Sequence, residues 1–121
     1  MAEEKRFENR IKSLLDKYGA YYFKYWAGPF SKSGIPDVIA CLNGVFIAVE
    51  VKATRGKPSP LQIVNCRRIN VAGGIGVIIY PKDYEFLKSV LEEVSRCGTV
   101  TATLKHTVDA HMRGFYDTLS G

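Results

Sequence analysis

Cysteine is scarce in this chain. The three present, Cys41, Cys66 and Cys97, are odd in number, widely spaced and free of any CxxC pairing. That excludes a disulfide framework and a cysteine-built zinc site, and suits a reducing compartment. Histidine is scarcer still: His106 and His111 stand five apart with no cysteine or carboxylate in register, so both read as surface or core side chains rather than ligands. Long apolar runs are missing, which excludes a membrane span. The stretch from Met1 to Arg10 is dense in charge where a secretory leader would be apolar, so the expected location is cytoplasmic. Repeats, low-complexity segments and linkers are also lacking. A length of 121 residues then predicts one domain spanning 1–121 with a single core.

Acidic residues are missing in one particular place. Between Lys17 and Lys82 stand nine basic residues (Lys17, Lys24, Lys32, Lys52, Arg55, Lys57, Arg67, Arg68, Lys82) and two acids, Asp37 and Glu50. A solvated surface normally intersperses both signs. This stretch reads instead as an electrostatic footprint for phosphate, within a chain of net charge +5. The two carboxylates inside it are the anomaly.

Phe7, Ile11, Leu14, Leu15 and Tyr18 recur at helical spacing, with Gly19 as a stop. Tyr21 to Trp26 is an aromatic strand, most simply a core strand, although such rings can also stack on bases. A Gly-, Pro- and Ser-rich loop follows over 27–35. Two apolar runs, Val38–Leu42 and Val45–Val51, flank Asn43-Gly44, a strong hairpin signal. After a basic loop, Ser59-Pro60 opens a helix that Gly73-Gly74 ends. Ile75–Tyr80 suits a buried strand, expected parallel to 45–51 through a right-handed crossover. Asp83 is placed to cap a helix carrying Leu87, Val90, Leu91 and Val94 and stopped by Gly98. The tail reads as a strand over 99–104 and a last helix over 108–119.

A two-residue turn at Asn43-Gly44 sets the register. Leu42 meets Val45, Val38 meets Val49, and Asp37 meets Glu50. One face carries Val38, Ala40, Leu42, Val45, Ile47 and Val49. The other carries Asp37, Ile39, Cys41, Phe46, Ala48, Glu50 and Lys52. Both are mostly apolar, so the hairpin is expected to be buried on both sides. Two acids roughly 5 Å apart at Cβ on such a face repel, and desolvation sharpens the repulsion. Either one holds a proton, with Lys52 as a partial counter-charge, or a cation sits between them. Hard carboxylate oxygens suit Mg²⁺ or Mn²⁺.

The pattern Ser33-Gly34-Ile35-Pro36-Asp37, twelve residues, then Glu50-Val51-Lys52 and Gln62 ten residues on resembles the PD-(D/E)XK nuclease signature. It is most similar to the VRR-NUC branch, as found in stand-alone viral and bacterial modules, and the resemblance covers about Glu3 to Val94. It implies an α/β fold with the restriction-endonuclease-like α-β-β-β-α-β core on a mixed sheet, over about 3–95, and a C-terminal extension of helix and tail over about 96–121. It implies a bacterial or phage-infected host cell. It also implies that Asp37 and Glu50 ligate a divalent metal with the Val51 carbonyl, and that Lys52 orients the attacking water and offsets charge on the phosphorane.

Glu8, on the first helix, is where the family often supplies another ligand, and its alternative is a solvated acid. Gln62 has two readings, a site residue by resemblance or the partner of Ser59 in a capping box. Ser33, Arg55, Lys57, Arg67 and Arg68 are candidate nucleic-acid contacts. The expected activity is metal-dependent DNA endonuclease cleavage, selective for structure in the manner of a Holliday-junction resolvase and carried out by a homodimer to which the tail contributes, unless the tail's apolar positions cover its own sheet. The alternatives are a flap- or nick-directed nuclease, or a nucleic-acid-binding module with an inactive site.

Overall fold

The computed structural model describes residues 2–120. Helix α1 (Glu3–Lys17) turns Phe7, Ile11, Leu14 and Leu15 inward and ends at Tyr18, with Gly19 in the left-handed region. Its apolar stripe covers the sheet, while Glu3 and Glu4 complement the positive end of the helix dipole. Strands β1 (Tyr21–Lys24), β2 (Val38–Leu42), β3 (Val45–Val51) and β4 (Ile75–Ile79) lie in that spatial order. The first two pairings are antiparallel; β3 and β4 are parallel. Helix α2 (Pro60–Val71) makes the crossover between them, α3 (Tyr84–Cys97) follows a short 3-10 turn at 81–83, and α4 (Ala102–Ser120) closes the chain. Among the described residues no helix is long and apolar enough to cross a membrane.

The hairpin register is the expected one, Leu42 with Val45 through Val38 with Val49. Asn43 and Gly44 both adopt positive φ, 49° and 85°, as a turn matched to strand twist requires. The face bearing Val38, Ala40, Ile47 and Val49 is sealed beneath α1 and α3. The opposite face departs from expectation. Helix α2 covers it only at β3 and β4, where a Cβ on Gly76 would lie 2.7 Å from the Cys66 carbonyl. Beyond that helix the face is open, so Tyr21 (76% exposed), Phe23 and Phe46 are in solvent. The aromatic run of β1 is therefore no core strand.

The tail also differs. Residues 102–120 are one helix: Thr101 accepts a bond from the Leu104 amide at 3.1 Å, and Leu104, Val108 and Met112 form a buried i, i+4, i+8 stripe. Thr99-Val100-Thr101 form the short connection before the helix instead of a strand, and 102–104 belong to its first turn. That stripe is spent on the protein's own sheet, which removes the tail's apolar surface as a reason for dimerisation. With α2, α4 also blocks the free edge of β4. Asn70 exchanges two bonds with Gly76 (2.7 and 2.8 Å), Met112 Sδ accepts from the Ile78 amide, and His111 Nε2 meets the Ile78 carbonyl at 2.8 Å. Asp83 completes this edge by accepting from the Tyr80 amide at 2.9 Å; it makes no side-chain cap on α3.

Candidate active site

The turn before β2 and the last residues of β3 meet at one end of the sheet. Asp37 is held there by its own Oδ2, which accepts from the Val51 amide at 2.9 Å. Just before Asp37 in the chain, Gly34 lets the loop lie against α2. Its φ is +79°, and a Cβ there would stand 2.7 Å from Leu61 Cγ and 2.9 Å from Asn65 Nδ2. Gly34, in the turn that precedes Ile35-Pro36-Asp37, thus has a packing reason to be glycine.

Glu50 is 1% exposed, and its Oε1 is buried without a hydrogen-bond partner. Its Oε2 lies 3.3 Å from Lys52 Nζ. Burial, and then the Asp37 charge beside it, push the Glu50 carboxyl up to about 8 against the pull of Lys52. Lys52 alone does not offset, at Glu50, both burial and the neighbouring Asp37 charge. Among the described residues no three His, Cys, Asp or Glu side chains cluster closely enough to hold a metal by themselves. Two facing carboxylates with an orphaned oxygen fit a hard divalent ion that completes its shell with water and a backbone carbonyl.

Glu8 reaches the same corner by another route. It is 2% exposed, and its oxygens contact Lys5 (3.2 Å), Lys12 (3.1 Å) and Lys24 (2.5 Å). Burial works to raise its carboxyl, but Lys24, Lys12 and Lys5 together hold it at about 2. Lys24 also lies 3.6 Å from Asp37 Oδ1, so a lysine stands between Glu8 and Asp37. Sequence reasoning missed this residue as a member of the site. Strand alternation alone does not place Lys24 opposite Val38, because the loop over 25–37 leaves the β1–β2 register open.

Gln62 forms the capping box: its Oε1 accepts from the Ser59 amide at 2.9 Å, and its own amide donates to Ser59 Oγ at 3.2 Å. Ser33 is exposed in the loop beside α2. The four basic candidates divide. Arg55 and Lys57 lie in the loop after β3, beside Lys52. Arg67 and Arg68 lie on the outer side of α2, Arg67 over the Tyr116 ring. The loop of 53–57 is tied down by Glu3, whose carboxylate accepts from the Thr54 amide and hydroxyl, and by Tyr80, whose hydroxyl donates to the Gly56 carbonyl at 2.7 Å. Neither anchor was foreseen, since both partners are remote in the chain.

A four-stranded mixed sheet flanked by helices, with an acid pair and a lysine at one end, is consistent with the restriction-endonuclease-like nuclease fold. A family model described as "Archaeal holliday junction resolvase (hjc)" matches residues 2–69, more than half of the chain. The chain belongs to this family and is a nuclease of the PD-(D/E)XK-like kind. A phage protein, "Putative nuclease p44" of Acyrthosiphon pisum secondary endosymbiont phage 1, is 30% identical over 96 residues, covering 78% of this chain and 98% of its own. No solved structure matches. The narrower VRR-NUC branch is identified by neither match.

Proposed function

We propose that this nuclease hydrolyses the phosphodiester backbone of branched DNA with the help of Mg²⁺ or Mn²⁺. The observation that carries the reading is the Asp37–Glu50 pair beside Lys52, with one Glu50 oxygen buried and unpartnered. Asp37, Glu50 and the Val51 carbonyl would hold the ion. Bound there, it would lower the pKa of a water and neutralise phosphate oxygens, which in-line displacement requires. The chain's own residues do the rest. The Val51 amide fixes the rotamer of Asp37. Lys52 orients the attacking water and faces the charge that develops on the phosphoryl oxygens as the water–phosphorus bond forms and the bond to the leaving oxygen breaks. Glu8, with its three lysines, holds Lys24 beside Asp37, and it becomes a ligand only if Lys24 withdraws. The Gln62 NH₂ has no partner among the described residues and is available to the substrate. Ser33, Arg55, Lys57, Arg67 and Arg68 are proposed phosphate contacts.

Selectivity for branched structure draws on the family's name and on the cationic surface around the acid pair. Flap- or nick-directed cleavage is the second reading. Symmetric cutting of a junction calls for a two-fold homodimer. With the tail committed to its own sheet, apolar surface available to a second copy includes the open face of β1 and β2 with Phe46, and Leu61 and Val64 of α2. The test is cleavage of a panel of labelled duplex, flap, nicked and four-way DNA with Mg²⁺, Mn²⁺ or EDTA. Four-way DNA should be cut best and only with a divalent ion; equal cleavage in EDTA would refute the metal reading.

A further inference from the structure

A cleft of about 700 Å³ opens where the loops following the parallel strands β3 and β4 diverge. Crevices beyond the carboxyl ends of parallel strands are a recurrent place for ligands, and this volume falls in the range of small-molecule sites. Arg55 and Lys57 enter from one loop and Lys82 from the other. None of the three forms an ion pair among the described residues, whereas Lys5, Lys12 and Lys24 are all spent on Glu8. The acid on the wall, Asp83, is turned to the Tyr80 amide. Behind the cations stand rings. Tyr80 and Phe115 are nearly parallel, 10° apart with centroids separated by 6.4 Å, and His111 is pinned between the Ile78 carbonyl and the Phe86 ring. The Gly56 side of the cleft lies against the stem of Lys52: the spot a Cβ on Gly56 would occupy is 3.4 Å from it.

Cations free of ion pairs beside an aromatic wall, Lys82 lying 5.8 Å from the centre of the Tyr80 ring, match a nucleotide, with the phosphate on the cations and the base against the rings. A base inside a duplex is stacked and cannot enter such a concavity; one at a branch point is free to. We propose that this cleft receives one unpaired nucleotide of the DNA strand, its phosphate on Arg55, Lys57 and Lys82 and its base on Tyr80 and Phe115. The proposal rests on the reading that the substrate is branched DNA, and it makes the cleft the element that senses the branch.

The test is made without divalent ion, so that it does not depend on cleavage. Amide NMR shifts of the intact protein are followed as thymidine 5′-monophosphate, thymidine or inorganic phosphate is added. The nucleotide should move the signals of 54–57 and of Tyr80, Lys82 and Asp83, and more strongly than either half alone. Movement no greater than that from phosphate would overturn the proposal. In parallel, exposed Lys82→Glu should weaken binding to DNA carrying a single unpaired nucleotide about tenfold more than binding to fully paired duplex. Equal weakening would overturn it, and so would nucleotide shifts combined with unchanged DNA binding, because the cleft would then serve a free nucleotide. If the cleft passes both tests but branched DNA is never cut, the proposed activity fails and the site stands.

Discussion

Glu8 and Glu50 are both buried carboxylates at the same corner of the sheet, and their surroundings are opposite. Glu8 has three lysines for one charge and sits at about 2; Glu50 has one lysine, an acid neighbour and an empty oxygen, and sits at about 8. The first is a satisfied charge that organises α1 against β1. The second is an electrostatic deficit. One buried acid is fully balanced and the other is left short of cations; perturbed groups of the second kind concentrate at functional sites, which supports the proposed role of the Asp37–Glu50 pair.

The largest expected effect comes from removing the acid pair. Asp37→Asn or Glu50→Gln should abolish cleavage while leaving the fold and DNA binding intact, as checked by circular dichroism and by filter binding; a variant that still turns over at the wild-type rate would break the contrast. Lys52→Ala should follow, with turnover lost on the order of 10²-fold and DNA affinity little changed, because its contact develops in the transition state. Equal loss in both would make Lys52 one more phosphate contact.

Stability sharpens the comparison further. The Glu8 carboxyl lies below its ordinary 4.5, so its stabilisation is complete above that pH and is lost as pH falls through about 2. Glu8→Gln should therefore cost on the order of 3 kcal/mol at pH 7 by denaturant unfolding, with the difference fading in acid. The Glu50 carboxyl lies above 4.5, so its effect has the opposite sign: it penalises the fold increasingly between 4.5 and about 8 and fully above. Glu50→Gln should raise the metal-free melting temperature at pH 9 and leave it nearly unchanged at pH 4.5. The smallest effect belongs to the exposed helix cations. Arg67→Ala or Arg68→Ala should lower the salt slope of DNA binding by about one without changing which structure is cut.

Much of the site was legible because it is local. The Asn43-Gly44 turn sets a register by counting, and counting alone sets Asp37 against Glu50. Ser59 and Gln62 are three residues apart, so their capping box could be read as one of two roles, and it forms. What was illegible depends on long separations. The role of Lys24 needed the β1–β2 register, and the anchoring of Thr54 by Glu3 needed α1 to lie across the end of β3. The tail misled because Thr99-Val100-Thr101 suits a strand locally, while the stripe of Leu104, Val108 and Met112 gains more by covering β4 as a helix.

By itself, then, the order of residues determined the elements of the core, the hairpin register and the acid pair, because periodicity, turn chemistry and strand alternation act over a few residues. Only the tertiary structure decided which buried acid is satisfied, which basic residues share a cleft, and that α4 seals one sheet edge while one face of β1 and β2 stays open. Those outcomes depend on which distant surfaces meet. Charge balance and burial are properties of such meetings, and no stretch of chain contains them.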